Sequence, residues 1–258
     1  MNIQELSVGT SLARSTPTDI FLQDASLTKE LMGNISFIEL FIFQLTGKRP
    51  TQSQLNVVNA VLVSLMEHGM TPSSITARLI YNSSPEAMQG AVAAGLLGAG
   101  GVFLGSMENL GRLLQAGKQS IDEGITTVEE FARSTIERLI DSGESIPGFG
   151  HHIHRPDDPR TPKLFSIAEE NGLGGNYIDL LTEMSRQLDV IKGKHITINT
   201  TGAVAAVLLN AGFPWHVLKG FSLLARTAGL VTHINEEIHR PMARGIWNLV
   251  EQALPDHN

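Results

Sequence analysis

Apolar residues recur at helical intervals along most of this chain, and only one short stretch alternates. From Gln52 to His68, the run QSQLNVVNAVLVSLMEH places Leu55, Val58, Ala60, Leu62, Leu65 and Met66 at helical spacings, and Thr51 just before them can cap the first turn. Thr127 to Asp141 is amphipathic in the same way, with Thr127 at the cap position and Val128, Phe131, Ile136, Leu139 and Ile140 facing inward. Tyr177 to Val190 and Thr201 to Ala211 carry the same signal, whereas Lys194 to Thr200 (KHITINT) is the only predicted strand. Gly and Pro breaks fall at 47–50, 69–72, 83–85, 143–150, 156–162 and 172–176. The pattern predicts an all-α protein without repeats or low-complexity tracts.

One segment lies outside this amphipathic rule. Ala87 to Met107 carries 21 residues without a charge, including six glycines and the spacing Gly101-x-x-x-Gly105. A helix that is apolar all round belongs in a core or a subunit interface, and small residues let its neighbours approach closely. The polar chain around it argues against a membrane span.

Composition narrows the function classes. A chain of 258 residues can bury one large core or two modest ones. A net charge of -7 argues against a general nucleic-acid surface, since phosphate contacts need clustered Lys and Arg. The lack of cysteine removes disulfides, thiolate nucleophiles and Cys-ligated zinc together. The first residues, MNIQELSVGTSLARS, lack the basic-then-apolar order of a secretory signal, so a cytoplasmic location is expected. No P-loop or HExxH motif occurs, and the glycines of GLLGAGG do not follow a strand.

Candidate chemistry concentrates in IPGFGHHIHRPDDPR, Ile146 to Arg160. Glycines in its Pro-Gly-Phe-Gly turn adopt dihedrals that let backbone approach a ligand closely. His151 can serve a carbonyl or alkoxide oxygen, and Arg160 can grip a carboxylate with two parallel hydrogen bonds. The triplet His151, His152 and His154 suggests a metal, but three neighbouring histidines on a loop lack the fixed geometry a zinc site needs, and no metal is expected.

Four segments stand in an order that resembles the citrate synthase superfamily of citrate synthases, citryl-CoA lyases and the lyase domain of ATP-citrate lyase. They are MEHGMTPSSITAR (66–78), the loop 146–160, ITINTTGAVAAVLL (196–209), and SLLARTAGLVTHINEE (222–237) running into IHRP (238–241). With the apolar segment, the likeness extends from about Leu31 to Leu249, and the short chain is most like the citryl-CoA lyases. The resemblance implies a large helical domain formed by 1–104 and 199–258, with a smaller helical domain, 105–198, on the coenzyme A side. It implies a polycarboxylate pocket in which His68 and His151 are catalytic and Arg160, Arg226, Asn199 and Thr201 meet the substrate, while Arg240 reaches in from the second subunit of a homodimer. Coenzyme A enters as part of the substrate and not as a resident cofactor. Its adenine is expected against Pro147, Gly148, Phe149 and Gly150, and its phosphates near Arg155, Lys192 and Lys194.

The sequence departs from the family at two catalytic positions. Where the synthases carry a thioester-polarising His, GVFLG (101–105) offers Leu104. Where the family has Asn-Val-Asp, this chain has Asn199-Thr200-Thr201, and an unaided threonine hydroxyl is no base near neutral pH. Asp157 and Glu108 are the acids to examine as substitutes. Losing a base that abstracts a carbon proton hinders synthesis more than cleavage. The expected activity is therefore retro-Claisen cleavage of citryl-CoA to acetyl-CoA and oxaloacetate, with His151 handling the hydroxyl proton. The alternatives are a lyase for a related thioester such as citramalyl-CoA, and a catalytically impaired CoA-thioester or citrate-binding protein.

Overall fold

The computed structural model describes residues 9–100 and 106–254. It divides into two compact units, Met1–Asn59 and Ala60–Asn258. In the first, three short strands, β1 (Ala13–Ser15), β2 (Ile20–Leu22) and β3 (Ala25–Ser26), form an antiparallel meander with Arg14 opposite Phe21 and Phe21 opposite Ser26. Asp19 ties the meander together by accepting from the Ile20 amide and the Ser26 and Thr28 hydroxyls. Helix α1 (Phe37–Thr46) follows, capped by Ser36 and ended by Gly47 in the left-handed conformation. The strands were not expected, because two or three residues are too few to establish an alternation.

Helix α2 (Gln52–Met66) runs from the first unit into the second and ends two residues short of its predicted limit, buried along Val57, Val58, Val61 and Leu65. The regular elements of the second unit are all helices among its described residues. Helix α3 (Pro72–Ser83) starts with a reciprocal Thr71–Ser74 cap and Pro72 in its first turn. The uncharged segment is not one helix: α4 (Met88–Leu97) stops at Gly98 and α5 (Ser106–Asp122) begins after it, while Gly101, Leu104 and Gly105 lie outside the described residues. The glycines explain the stop at Gly98, since each weakens the helix by about 1 kcal/mol relative to Ala. Close approach is real, however, because a Cβ on Gly95 would lie 3.0 Å from the Ser73 carbonyl oxygen. No helix among the described residues is long and apolar enough to cross a membrane.

Helix α6 (Val128–Asp141) carries the predicted Thr127 cap, which pairs reciprocally with Glu130, although Val128 is more exposed than expected. Helix α7 (Arg160–Glu170) follows the histidine loop, and α8 (Asn176–Lys192) covers the predicted 177–190 segment. Helix α9 (Thr200–Asn210) is buried on every side from Gly202 to Leu209, as its unbroken run of Ala, Val and Leu requires. Residues 194–200 do not form a strand; one bridge joins Ile198 to Phe149, and Thr200 already opens α9. Helix α10 (Leu218–His239) buries Phe221, Ser222, Ala225, Arg226, Gly229, Leu230, His233, Ile234 and Glu237, a stripe that keeps helical register over five turns. Helix α11 (Ala243–Ala253) follows, its first amides held by Glu237.

Candidate active site

Glycine lets two backbone segments touch, and this contact places the histidine loop. Gly148 has φ +86°, and a Cβ on Gly202 would lie 2.5 Å from the Gly148 carbonyl oxygen, so neither position accommodates a side chain. The loop is then laced to the start of α9: the Asn199 amide donates to Gly148 O (3.0 Å), the Gly150 amide to Thr197 O (2.8 Å) and Asn199 Nδ2 to Gly150 O (2.9 Å). Asn199 Oδ1 caps α9 by accepting from the Gly202 amide and the Thr201 hydroxyl.

Asp158 anchors the far end of the loop. Fully buried, it accepts from Arg160 Nε (3.0 Å), Arg160 Nη2 (2.8 Å), the Arg160 amide, and the Thr200 amide and hydroxyl. Burial alone raises a carboxyl's pKa, but these hydrogen bonds outweigh it and hold Asp158 far below the usual carboxylate range. Arg160 therefore spends one edge of its guanidinium on Asp158 and keeps Nη1, near Ser64 O, on the other. Both residues carry the loop onto α7 and α9. Asp157, by contrast, is exposed and faces His195 at 2.9 Å. Asp158 is the organising acid that sequence reasoning passed over, one position from the one it named.

Histidines line the cavity that results, a space of about 690 Å³ bordered by His68, His151, His152, Arg160, Thr201 and Arg226 among others. His151 Nδ1 accepts the backbone N–H of Ile153 (3.1 Å) and of His154 (3.0 Å). Its lone pair is thus committed, and the neutral ring carries its proton on Nε2 as a donor. Burial, then the neighbouring His154, pushes its pKa down to about 4, so the ring is neutral at physiological pH. In this geometry the neutral ring offers the cavity a donor and not a lone pair. His68, at the end of α2, is pushed below its ordinary pKa by burial and then by Arg160 and His154, and its Nε2 lies 3.2 Å from His154 Nε2. Nitrogens of His68, His151 and His154 fall within 4.8 Å of one another, a spacing a metal could bridge. With the His151 lone pair already engaged, only two ligands are available, fewer than the three or four a zinc site uses.

Arg226 supplies the strongest electrostatic demand in the cavity. It is 7% exposed, and its Nε and Nη1 are buried without hydrogen-bond partners among the described residues. Burial lowers its pKa, Glu67 partly offsets this, and Arg160 adds to it. Glu67 holds the His68 and Gly69 amides through Oε1. Its Oε2 lies 2.8 Å from His233 Nε2, off the line of a formed hydrogen bond. Behind them sits Arg78, 1% exposed, which donates to His233 Nδ1 (3.1 Å), Glu237 Oε2 (3.0 Å) and Glu236. A tight contact of α10 with the end of α2 makes this arrangement possible, since a Cβ on Gly229 would lie 2.1 Å from Met66 O.

The remaining expected residues are dispersed. Asn199 and Thr201 border the cavity but bond mainly to the loop and to each other. Pro147, Gly148, Phe149 and Gly150 form its rim. Arg240 is exposed at the end of α10, its amide on Glu236 O, and is not among the residues lining the histidine cavity. Arg155, Lys192 and Lys194 are exposed and outside the cavities, and Glu108 is not among the lining residues. Two cations missed in the sequence, Arg112 on α5 and Arg138 on α6, border an adjoining space of about 290 Å³ that shares Ser106, Ser145 and Pro147 with the main cavity. Their separation of 26 positions gave no sign that they share a groove.

A helical fold around a histidine-lined cavity with a desolvated guanidinium can hold a small carboxylate-bearing molecule and donate to its oxygen. The chain belongs to the citrate synthase family: the family model described as citrate synthase, C-terminal domain, matches residues 20–246. A "Putative citrate synthase 2" of Mycobacterium tuberculosis is 30% identical over 193 residues, 73% of this chain and 49% of that protein. The citrate synthase of Saccharolobus solfataricus is 25% identical over 79% of this chain and 53% of its own length. The chain thus spans about half the length of the curated relatives it matches. The citryl-CoA lyase of Hydrogenobacter thermophilus superposes with a TM-score of 0.80 at 29% identity, covering 91% of this chain and 88% of that one. An ATP citrate lyase from Methanosaeta concilii, in complex with (3S)-citryl-CoA, shares the fold at TM-score 0.74 and 17% identity, over 90% of this chain and 39% of its own.

Proposed function

We propose that the protein is a carbon–carbon lyase for a hydroxy-polycarboxylyl-CoA thioester, with citryl-CoA as the first substrate to test. The observation that carries this reading is Arg226, a buried guanidinium that lines the cavity with Arg160 and whose Nε and Nη1 have no hydrogen-bond partner among the described residues. A desolvated cation without a partner is costly to maintain, and a substrate carboxylate is the group that completes it. The structural likeness to the Hydrogenobacter citryl-CoA lyase, at TM-score 0.80 and 29% identity, favours lyase over synthase.

In this reading, Arg226 takes one substrate carboxylate and Arg160 another through Nη1, which donates only a long 3.4 Å hydrogen bond to Ser64 O, and His151 Nε2–H donates to the oxygen that passes from hydroxyl to ketone. Cleavage breaks the bond to the thioester's α-carbon, leaves a keto acid and yields the enolate of the acyl-CoA, which is then protonated. The CoA portion runs over Pro147–Gly150, and we assign its phosphates to Arg112 and Arg138 beside the earlier candidates Arg155, Lys192 and Lys194. The proposed working unit is a cytoplasmic homodimer whose large domain is 1–104 with 199–258 and whose small domain is 105–198, Arg240 completing the partner's pocket. A thioester-binding protein without turnover is the second reading, favoured by Thr201 and by the absence of any carboxylate among the described residues lining the cavity.

A panel of hydroxyacyl-CoA thioesters, with free acyl-CoA measured as product, tests the proposal. Turnover of citryl-CoA supports the first reading, and preferential turnover of citramalyl-CoA redirects it to that substrate. Tight binding with no product from any member establishes the second.

A further inference from the structure

The cavity lacks an evident base once His151 is pinned as a donor. No carboxylate is among its described lining residues, and Asp158 is locked to Arg160 and Thr200. His68 and His154 meet edge-on, ring centroids 5.4 Å apart and Nε2 atoms 3.2 Å apart. Each neutral imidazole has one N–H and one lone pair. The shared hydrogen bond consumes one of each, which leaves the pair one N–H and one lone pair at the two Nδ1 atoms. A proton taken up at that lone pair creates an imidazolium hydrogen-bonded to an imidazole, a charge-assisted bond stronger than the neutral one it replaces. His152 lines the cavity with its ring stacked 4.8 Å from His151, but it is exposed and no hydrogen bond holds it among the described residues.

We infer that His154, which is not itself among the cavity's lining residues, is a positioning residue that acts through His68, holding that ring by the shared Nε2 hydrogen bond so that His68 is the base that takes the substrate's hydroxyl proton and returns it to carbon. The inference rests on the lyase reading. The balance closes within the substrate. The O–H proton moves to His68, the oxygen electrons form the ketone, and the electrons of the breaking C–C bond form the thioester enolate. The same proton then adds to the enolate carbon, so no other reactant is needed. The groups that bias the pair are identifiable: Arg160 and His151 oppose its protonation, and Asp158 favours it from behind Arg160.

His154→Gln provides the test, because an amide can keep a hydrogen bond to His68 yet cannot share the proton that His68 takes up. With native citryl-CoA turnover as reference, kcat is expected to fall about 10²-fold or more while KM changes little, and the acid limb of the pH profile should shift. His154→Asn repeats the experiment if His154→Gln fails to fold, with citrate binding and thermal melting as the fold checks. An active native protein whose His154 variants keep its kcat and pH profile overturns this inference alone, as does an acid limb that moves in His152→Gln and not in His154→Gln. A native protein inert toward every thioester it binds refutes the lyase reading, and this proposal with it.

Discussion

Replacing Arg226 by Met should move stability and binding in opposite directions. The side chain is 7% exposed, its buried Nε and Nη1 have no hydrogen-bond partner among the described residues, and Glu67 attracts it without forming a hydrogen bond to them. Retaining a desolvated, incompletely paired ion costs several kcal/mol, and apolar replacement of buried ionic groups is often neutral or stabilising by about 1–4 kcal/mol. Met has similar length and no charge to desolvate, so the variant is expected to be at least as stable as the native protein in urea. Binding runs the other way. Losing a buried charge-assisted hydrogen bond to a ligand carboxylate costs about 2–5 kcal/mol, which is roughly 30- to 4000-fold in Kd. Paired urea melts and citrate titrations by calorimetry measure both quantities. A less stable Arg226→Met that binds citrate with native affinity would refute the reasoning, because it would make Arg226 a structural residue.

Other consequences follow from the same structure. Arg78→Ala leaves Glu237 buried without its guanidinium, and urea unfolding should show a loss of about 3–5 kcal/mol, in contrast to Arg226→Met. Gly202→Ala drives a Cβ to 2.5 Å from Gly148 O, and since both sides are backbone the loop must shift; a loss of about 1–3 kcal/mol and weaker citrate binding are expected by the same two assays. His151 has its folded-state pKa pushed down from 6.5 to about 4, so the unfolded chain binds more protons between these values. Its contribution to stability is therefore present above pH 6.5 and lost as pH falls toward 4, a slope that should flatten in urea melts of His151→Gln. Sedimentation should find a homodimer, and a stable monomer at working concentration contradicts the composite site assigned to Arg240.

Helical architecture was legible because most elements are amphipathic, and the ends of α2, α6, α8 and α9 lie within two residues of where their periodicity puts them. The uncharged segment was misread as one helix since apolar character does not reveal where a glycine run ends a helix; Gly98 does so here. In the site, His68, His151, Arg160 and Arg226 were legible through the order of their segments, and the structure gathers all four around one cavity. Asp158 was missed because two adjacent aspartates differ only in which one the chain turns inward. The spacing Asp-x-Arg, which lets a carboxylate fold back on a guanidinium, was the available signal. Arg78 stood inside a quoted segment without a role, as its partners on α10 lie more than 150 positions away. Tautomer was also beyond the sequence: two backbone amides, supplied by the turn at His151 itself, make that ring a donor.

Cleavage of a polycarboxylyl thioester in this cavity is measured most directly by following oxaloacetate released from citryl-CoA, coupled to NADH oxidation by malate dehydrogenase. The native protein should give stoichiometric oxaloacetate and acetyl-CoA, and the signal should collapse in Arg226→Met. Citryl-CoA recovered intact after binding to the native protein would show that the cavity binds the thioester without cleaving it.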